Sequence, residues 1–260
     1  MIRSLYTSVS GLVTLENKQN TIINNITNVN TNGFKGDDLI VKSFDDVLIT
    51  NRDKNVNGRN ERVELGTLSL GAAVDTVTTK FTQGLLKETG KTTDFAVDGR
   101  GFFAVQKMTP GGSETYFTRD GNFRVGNNGY LITSNGDYVL GQNKTSGTME
   151  PIFVGSSNFV LDVNNNISIN GVNTHTLATA DFQDYTELQK VGDNLYSGAN
   201  PIYNADVWVH QGFVEGSNVS LSDQMTDMIS TMRNFESNQK MVQIIDSTLS
   251  KAASEIGRIK

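Results

Sequence analysis

The last forty residues carry a heptad pattern, which limits the possible folds more than any other feature of this sequence. From residue 221 to residue 256, mostly apolar side chains recur at alternating spacings of four and three, with no Pro or Gly between them. This spacing places one apolar stripe along an α-helix, where it can pack against a second helix. The predicted seam of this C-terminal helix comprises Leu221, Met225, Met228, Met232, Phe235, Gln239, Val242, Leu249, Ala253 and Ile256.

The first thirty residues show a second helical pattern. It ends in the polar run 28–33, where Asn and Gly tolerate the left-handed backbone that closes a helix, so we predict that the N-terminal helix ends near Asn28. Its predicted seam comprises Leu5, Val9, Leu12, Leu15, Gln19, Ile22, Ile26 and Val29.

The middle of the chain has the pattern of β structure. Short runs rich in Phe, Tyr, Val and Thr are separated by tight-turn dipeptides at 120–121, 128–129 and 135–136. Residues 50–64 are polar with almost no apolar anchors, which predicts a loop or a segment ordered only by contact. The predicted strands are residues 115–118, 122–125, 130–133, 137–140, 152–154, 159–163, 167–169 and 207–209.

These patterns together predict an α+β protein. We expect the terminal helices to form an antiparallel, coiled-coil-like domain from residues 1–34 and 213–260. A mainly β domain would occupy residues 83–212, and residues 35–82 would form an extended connecting segment.

Charge and composition exclude several classes of protein. The formal net charge of −6 argues against nucleic acid as a partner, because phosphate binding needs a basic patch. There is no cysteine for a disulfide or a thiolate site. Glu16 and Lys18 interrupt the N-terminal pattern, which predicts neither a cleaved secretory signal nor insertion into a membrane.

Three motifs suggest chemistry, but each has a simpler interpretation. Residues 99–104 match the letters of a dinucleotide fingerprint, yet a strand, not a helix, is predicted after them. Residues 162–166 have the opening spacing of a calcium loop, without its Gly and its final Glu. His175 and His210 lie beside no nucleophile or metal motif. We therefore predict no catalytic residue, metal or cofactor, and no enzyme.

Several segments resemble one known family. The runs 4–12 and 24–35 resemble the N-terminal signature of bacterial flagellar rod and hook proteins, in which a helix is followed by an Asn-rich turn and an aromatic residue. Residues 83–103, 118–121 and 215–236 are similar to later segments of the same family, in the same order. The residues that carry the turn are Asn24, Asn25, Asn28, Asn30, Thr31, Gly33, Phe34 and Lys35.

The resemblance implies a structural subunit of the flagellar basal-body rod. The chain length and residues 71–74 favour a distal rod protein, with a proximal rod protein as the alternative. In this family the terminal helices would pack in the wall of a hollow helical polymer that transmits torque. The implied partners are further copies of the chain, other rod and hook proteins, and the flagellar type III export apparatus, which would export the chain without a cleaved signal peptide.

Other functions remain open at this stage. One is a secreted β-domain binding protein, adhesin-like or hook-cap-like, on a helical stalk. Another is a cell-wall hydrolase, which would need a carboxylate pair in a cleft. If the chain is a rod subunit, the polar face of the C-terminal helix is a candidate channel lining, which we assign to Ser237, Lys240 and Ser247.

Overall fold

A computed structural model describes residues 2–56, 59–109, 111–155, 158–169, 171–204 and 207–257. In this part of the chain, helix α1 (Ile2–Thr27) and helix α2 (Leu221–Ile256) lie at the two ends, and the residues between them are mainly β. The prediction of terminal helices around a β middle is therefore confirmed. Neither described helix holds an apolar stretch long enough to cross a membrane.

The chain divides into two compact units. The helical unit contains residues 1–26, 37–78 and 221–260, and the β unit contains residues 27–36 and 79–220. This division differs from the predicted domains, because residues 37–78 group with the helices whereas residues 27–36 and 213–220 group with the β structure. Backbone hydrogen bonds explain part of this: Gly33 N donates to Glu215 O at 2.7 Å, within the β unit.

The helical unit holds two pairs of strands. β1 pairs with β4, and β2 pairs antiparallel with β3. Most of the segment 50–64 lies in β2 and β3, so the prediction of a loop was wrong there; residues 57 and 58 lie outside the described residues. Main-chain hydrogen bonds form this ladder, and they need no apolar anchors. The strands are β1 (Asp37–Ser43), β2 (Val47–Val56), β3 (Arg59–Leu68) and β4 (Ala72–Thr79).

Side chains of α1 attach this strand segment to the helix. Asn25 Nδ2 donates to Asp37 O at 2.8 Å, and Asp37 N donates back to Asn25 Oδ1 at 3.0 Å. Farther along α1, Ala72 N donates to Ser10 Oγ at 3.3 Å. A Cβ on Gly71 would lie 2.2 Å from Ser10 Oγ, so a larger residue cannot occupy that position without a shift.

The β unit is built on a sheet with the order β13-β14-β15-β11-β7-β8-β18-β17. A 3₁₀ turn covers Tyr185–Glu187. The strands of this unit are β5 (Leu86–Glu88), β6 (Phe95–Asp98), β7 (Phe102–Thr109), β8 (Gly112–Thr118), β9 (Arg124–Val125), β10 (Leu131–Ile132), β11 (Tyr138–Asn143), β12 (Met149–Pro151), β13 (Phe159–Leu161), β14 (Asn166–Ile169), β15 (Val172–Leu177), β16 (Thr179–Asp181), β17 (Gln189–Gly192), β18 (Leu195–Ser197), β19 (Ile202–Tyr203), β20 (Trp208–Gln211) and β21 (Phe213–Glu215).

Strand β7 lies at the centre of the unit, because both of its faces are buried. Successive side chains of a strand point to opposite faces, so Phe103 and Val105 enter one apolar cluster whereas Phe102 and Ala104 enter another. All four side chains are fully buried. A strand buried on both sides shows no alternation of polar and apolar residues, which is why its sequence reads as a continuous apolar run.

The predicted turns and strands agree with the structure in most places. Gly129 and Gly136 have positive φ, as tight turns require. Gly121 does not, and its role is a close approach: a Cβ there would lie 1.7 Å from Phe95 O. Residues 152–154 form only an isolated bridge between Phe153 and Tyr130 and not the predicted strand.

Candidate functional site

The Asn-rich turn after α1 lies in the β unit and depends on one glycine. Gly33 has a φ of 67°, and a Cβ on it would lie 2.4 Å from the backbone nitrogen of Asp120. Neither the left-handed backbone nor the available space suits a larger residue. The turn therefore lies directly against residues 119 and 120.

Lys35, Arg119 and Glu215 form a buried ion cluster, which we call the anchor cluster. Lys35 Nζ lies 2.6 Å from Glu215 Oε1, and Arg119 Nη1 lies 3.2 Å from Glu215 Oε2. The side chains of the three residues are at most 2% exposed. One carboxylate thus forms ion pairs with two cations that come from distant parts of the chain.

Backbone groups supply further hydrogen bonds to the anchor cluster, although Arg119 Nε has no hydrogen-bond partner among the described residues. Lys35 Nζ donates to Thr82 O at 2.7 Å, and Gly84 N donates to Glu215 Oε1 at 2.8 Å. Arg119 Nη2 donates to Gly99 O at 2.8 Å. Such bonds matter because a buried charge without partners costs several kcal/mol, on the order of the whole stability of a domain.

Burial controls the electrostatics of Lys35. Loss of hydration lowers the pKa of its ammonium group, and the nearby Arg119 charge lowers it further. Glu215 opposes both effects through its charge and its hydrogen bond. The position of Lys35 is therefore favourable only while Glu215 is present.

Asn218 holds the same region together through its amide. Its Oδ1 accepts from Gly36 N at 2.8 Å, and its Nδ2 donates to Lys80 O at 2.7 Å and to Thr82 Oγ1 at 2.9 Å. One side chain thus joins the end of the turn to the segment that enters the β unit. Lys190 adds a further contact, because its Nζ donates to Lys35 O at 2.7 Å.

The predicted turn residues play several parts. Phe34 is buried, with Lys190 Nζ 4.5 Å from its ring centroid. Thr31 Oγ1 donates to Asn28 Oδ1 at 3.1 Å. The side chains of Asn24 and Asn30 are exposed. The sequence indicated the turn but not the ion cluster at its end, because nothing in the pattern pairs Lys35 with Glu215 or Arg119.

Two carboxyl groups of the β unit, half-buried Asp120 and buried Asp94, affect one another. Asp120 accepts a hydrogen bond from Asn122 N at 3.0 Å, and burial raises the pKa of its carboxyl to about 6, with a further contribution from Asp94. Asp94 is 1% exposed, and neither of its oxygens has a hydrogen-bond partner among the described residues.

The predicted seam of α1 lies mostly on its less exposed side. Ile22 is buried, whereas Val9 is 43% exposed. The remaining positions are half-buried, namely Leu5, Leu12, Leu15, Gln19, Ile26 and Val29.

The less exposed side of α2 shares only half of its predicted seam. Met228, Phe235, Val242 and Leu249 are half-buried, while the alternate positions Leu221, Met225, Met232, Gln239 and Ala253 are exposed. The side chain of Ile256 lies outside the described residues. Gln224, Thr231, Asn238 and Ala252, each one position earlier than a predicted seam residue, lie on this less exposed side together with Ile245. The prediction chose the apolar residues Met225 and Met232, whereas the less exposed side of the helix carries their polar neighbours Gln224 and Thr231.

The other candidate residues do not converge on a chemical site. A strand, β7, follows Gly99 and Gly101, as predicted. Residues 162–165 connect β13 to β14 as a polar turn, and His210 lies in β20. Among the described residues, no group of three or more His, Asp or Glu side chains is arranged to hold a metal. Ser237, Lys240 and Ser247 are exposed.

Comparisons with known proteins connect these features. Three family models match the chain: a flagella basal body rod protein model at residues 5–35, a flagellar hook protein FlgE/F/G D1 domain at 96–176, and a flagellar basal body rod FlgEFG protein C-terminal model at 210–255. The flagellar basal-body rod protein FlgG of Bacillus subtilis is 33% identical over 96% of this chain and 97% of its own length. The chain belongs to the flagellar basal-body rod protein family.

Other relatives are also flagellar basal-body rod proteins. FlgG of Buchnera aphidicola from Schizaphis graminum is 32% identical over 96% of this chain and 98% of its own length. FlgF of Caulobacter vibrioides is 32% identical over the full length of both chains. The chain is accordingly a structural rod subunit. It resembles FlgG, the predicted distal rod protein, over nearly its whole length. These relatives are named as parts of the flagellar basal-body rod, which is a structural assembly. That this chain has no catalytic activity stays a prediction.

The anchor cluster of this rod protein takes one residue from each matched region. Lys35 ends the first region, Arg119 lies in the second and Glu215 lies in the third. The three regions therefore meet in one buried contact within the β unit.

Replacing Glu215 should destabilise the β unit strongly. Glu215→Gln leaves two buried cations without a counter-charge, and we expect a loss of about 3–5 kcal/mol in the free energy of unfolding. Lys35→Met should cost less, because Glu215 keeps Arg119. Urea unfolding followed by the emission of Trp208, the chain's one tryptophan, reports on the β unit. Equal losses in both variants would contradict this assignment.

A matched control is available in the helical unit. Lys42 also pairs with a carboxylate, at 2.7 Å from Asp75 Oδ1, but its side chain is 62% exposed. Lys42→Met should change the free energy of unfolding by less than about 1 kcal/mol, because exposed pairs contribute little.

The stability of the β unit should also depend on pH through Asp120. Its pKa is raised from 3.8 to about 6, so the folded form holds a proton that the unfolded chain releases. The stabilisation is complete below about pH 4 and is lost as the pH rises through about 6. Asp120→Asn should remove this dependence and stabilise the protein at pH 8 by at most about 3 kcal/mol. Unfolding curves from pH 4.5 to pH 8 that are parallel for both proteins would refute this role.

Proposed function

We propose that this rod protein polymerises into a hollow helical tube that transmits torque and walls the flagellar export channel. The supporting observation is an exposed apolar row on the first three turns of α2. Leu221, Met225, Ile229 and Met232 are 40–55% exposed. At 100° per residue they lie within about 80° of one another on the helix surface. A row of this kind on a structural subunit is suited to contacts with further copies.

Within the subunit, we propose that the two helices pair as an antiparallel coiled coil. Asn25 Nδ2 donates to Gln224 Oε1 at 3.1 Å, and a Cβ on Gly11 would lie 3.2 Å from Asn238 Nδ2. The residue numbers in each pair sum to 249, as expected for two helices that pack antiparallel. The half-buried positions of α2 alternate by four and three, which is the spacing of a coiled-coil seam.

This register carries the end of α2 beyond the end of α1. Ile2 would be level with residue 247, so residues 248–256 extend beyond α1 by about 13 Å. Other subunits or the channel must cover this length in the polymer. Unlike a closed dimer, contacts between different faces of identical subunits generate open helical assemblies.

The relatives are basal-body rod proteins, which supports a location in the flagellar basal body, where this chain would assemble with other rod and hook proteins. We further propose that it reaches the rod through the flagellar type III export apparatus without a cleaved signal peptide. The comparisons give no support to a secreted adhesin-like or hook-cap-like protein.

Met232→Asp should block assembly and leave the subunit folded. Met232 is 46% exposed, so a carboxylate there remains hydrated in the monomer but would be desolvated in a subunit contact, at a cost of several kcal/mol, roughly enough to abolish a weak repeated contact. We expect an unchanged melting curve and no rods in negative-stain images of the concentrated protein. Met108→Asp is the matched control, because Met108 is 70% exposed on β7.

A second variant distinguishes contacts within the subunit from contacts between subunits. Met228 is half-buried and lies level with Thr21, next to buried Ile22. Met228→Asp should therefore destabilise the helical unit of the monomer and also block assembly, while the β unit stays folded. If Met232→Asp formed normal rods, the exposed row would not be an assembly surface.

The channel assignment can be tested by thiol labelling, because the chain has no cysteine of its own. Ser237→Cys and Ser247→Cys should react rapidly with a bulky maleimide in the monomer and slowly in assembled rods, because a narrow channel excludes the reagent. Ser113→Cys, at an exposed position of β8, should react rapidly in both forms. Rapid labelling of Ser237→Cys in intact rods would place this face on the outside.

A further inference from the structure

All of the sulfur chemistry of this chain belongs to methionine. The sequence has seven methionines and no cysteine, so the thioether is its one sulfur group open to oxidation. Four of the seven methionines lie in α2, namely Met225, Met228, Met232 and Met241. Methionine is thus concentrated on the helix that carries the proposed assembly surface.

Two of these methionines belong to the exposed apolar row of α2. Met225 is 52% exposed and Met232 is 46% exposed. They are seven residues apart, so their side chains lie on the same side of the helix, about 20° from one another. Met228, which lies between them in the sequence, is half-buried. A dissolved oxidant can therefore reach the two row methionines in the free subunit without any opening of the fold.

Oxidation would change the chemical character of this row. Hydrogen peroxide transfers one oxygen atom to the thioether sulfur: the sulfur loses two electrons, the O–O bond breaks and water is the second product. The sulfoxide is polar and accepts hydrogen bonds, whereas a thioether packs as an apolar group. The other members of the row, Leu221 and Ile229, have no side-chain donor for the new oxygen. In a contact made through this row, the oxygen would be buried without a partner, which is unfavourable.

We propose that Met225 and Met232 form a redox-sensitive modification site, at which oxidation by a peroxide keeps the subunit out of the polymer. This inference rests on the proposed assembly function. In the polymer the proposed contacts would cover both side chains, so oxidation would act on the free subunit and not on the assembled one. A thiol-dependent methionine sulfoxide reductase reverses the change: it removes the oxygen as water, oxidises two thiols to a disulfide and restores the thioether.

Mild oxidation of the full-length subunit tests the proposal. Dilute hydrogen peroxide is applied until peptide mass spectrometry shows one added oxygen at Met225 and at Met232, with Met228 still reduced. The oxidised subunit should keep its circular dichroism, because exposed sulfoxides stay hydrated. Its critical concentration for assembly, measured by sedimentation and negative-stain imaging, should rise at least about tenfold, and the reductase should restore it. A loss of assembly that the reductase does not reverse would indicate other damage and would overturn the proposal.

Two matched pairs of substitutions locate the effect. Met225→Leu/Met232→Leu removes the row thioethers but keeps apolar side chains of similar volume, so it should assemble equally well before and after peroxide treatment. Met108→Leu/Met149→Leu removes two exposed thioethers from the β unit, and it should stay as sensitive to peroxide as the unsubstituted protein. Equal protection by both pairs, or no protection by the first pair, would overturn the assignment to the row.

A second measurement needs no substitution and covers the case in which the leucine variants do not fold. Peroxide is applied to the free subunit and to assembled rods, and the oxidation rate of each methionine is followed by mass spectrometry. Met225 and Met232 should react at least about fivefold more slowly in rods, because the rate follows exposure. Met108, which is 70% exposed on β7, is the internal reference. Row methionines that react as fast in rods as in the free subunit, relative to Met108, would overturn the proposal.

The outcomes distinguish this inference from the proposed function. If the untreated protein formed no rods at any concentration, the assembly proposal would fail and this inference with it. If rods formed equally well from untreated and from oxidised protein, the assembly proposal would stand and only the role of the two methionines would be wrong.

Discussion

The structure of the β unit depends on one buried carboxylate. Glu215 forms ion pairs with both Lys35 and Arg119, and each of the three residues comes from a different region that matches the rod protein family. A buried ion cluster is a poor source of net stability, because desolvation consumes most of the Coulombic gain. It is nevertheless selective, since any arrangement that leaves one member unpaired is heavily penalised. We conclude that the cluster selects how the distant segments meet within this unit.

Close backbone packing surrounds this contact. Gly33 lies against Asp120, and a Cβ on Gly84 would lie 2.0 Å from Gly216 O. Both glycines let two chain segments approach more closely than side chains would allow. The ions and the glycines therefore act together: the ions require particular segments to meet, and the glycines allow the distance at which the hydrogen bonds of Glu215 and Asn218 can form.

The helical unit follows a different principle. Its strands are attached to α1 by polar side chains such as Asn25 and Ser10, while several large apolar side chains of α2 remain exposed. A chain with only 37% hydrophobic residues has limited apolar surface for a core. Leaving Met225 and Met232 exposed is costly for a single molecule, and burial against further copies in a polymer would remove this cost.

The sequence by itself determined the two helices and the mainly β middle, because these follow from periodicity and from local turn residues. Its motifs also resembled those of the family, which the comparisons then showed. It also identified the turn that contains Gly33, since a left-handed Gly after an Asn-rich run is a local signal. It did not determine the partners of Lys35, the side of α2 on which Thr231 and Asn238 lie, or the ladder between β2 and β3. Only the tertiary structure decided these, because each depends on a contact between residues far apart in the chain, and periodicity records which positions share a face but not what that face meets.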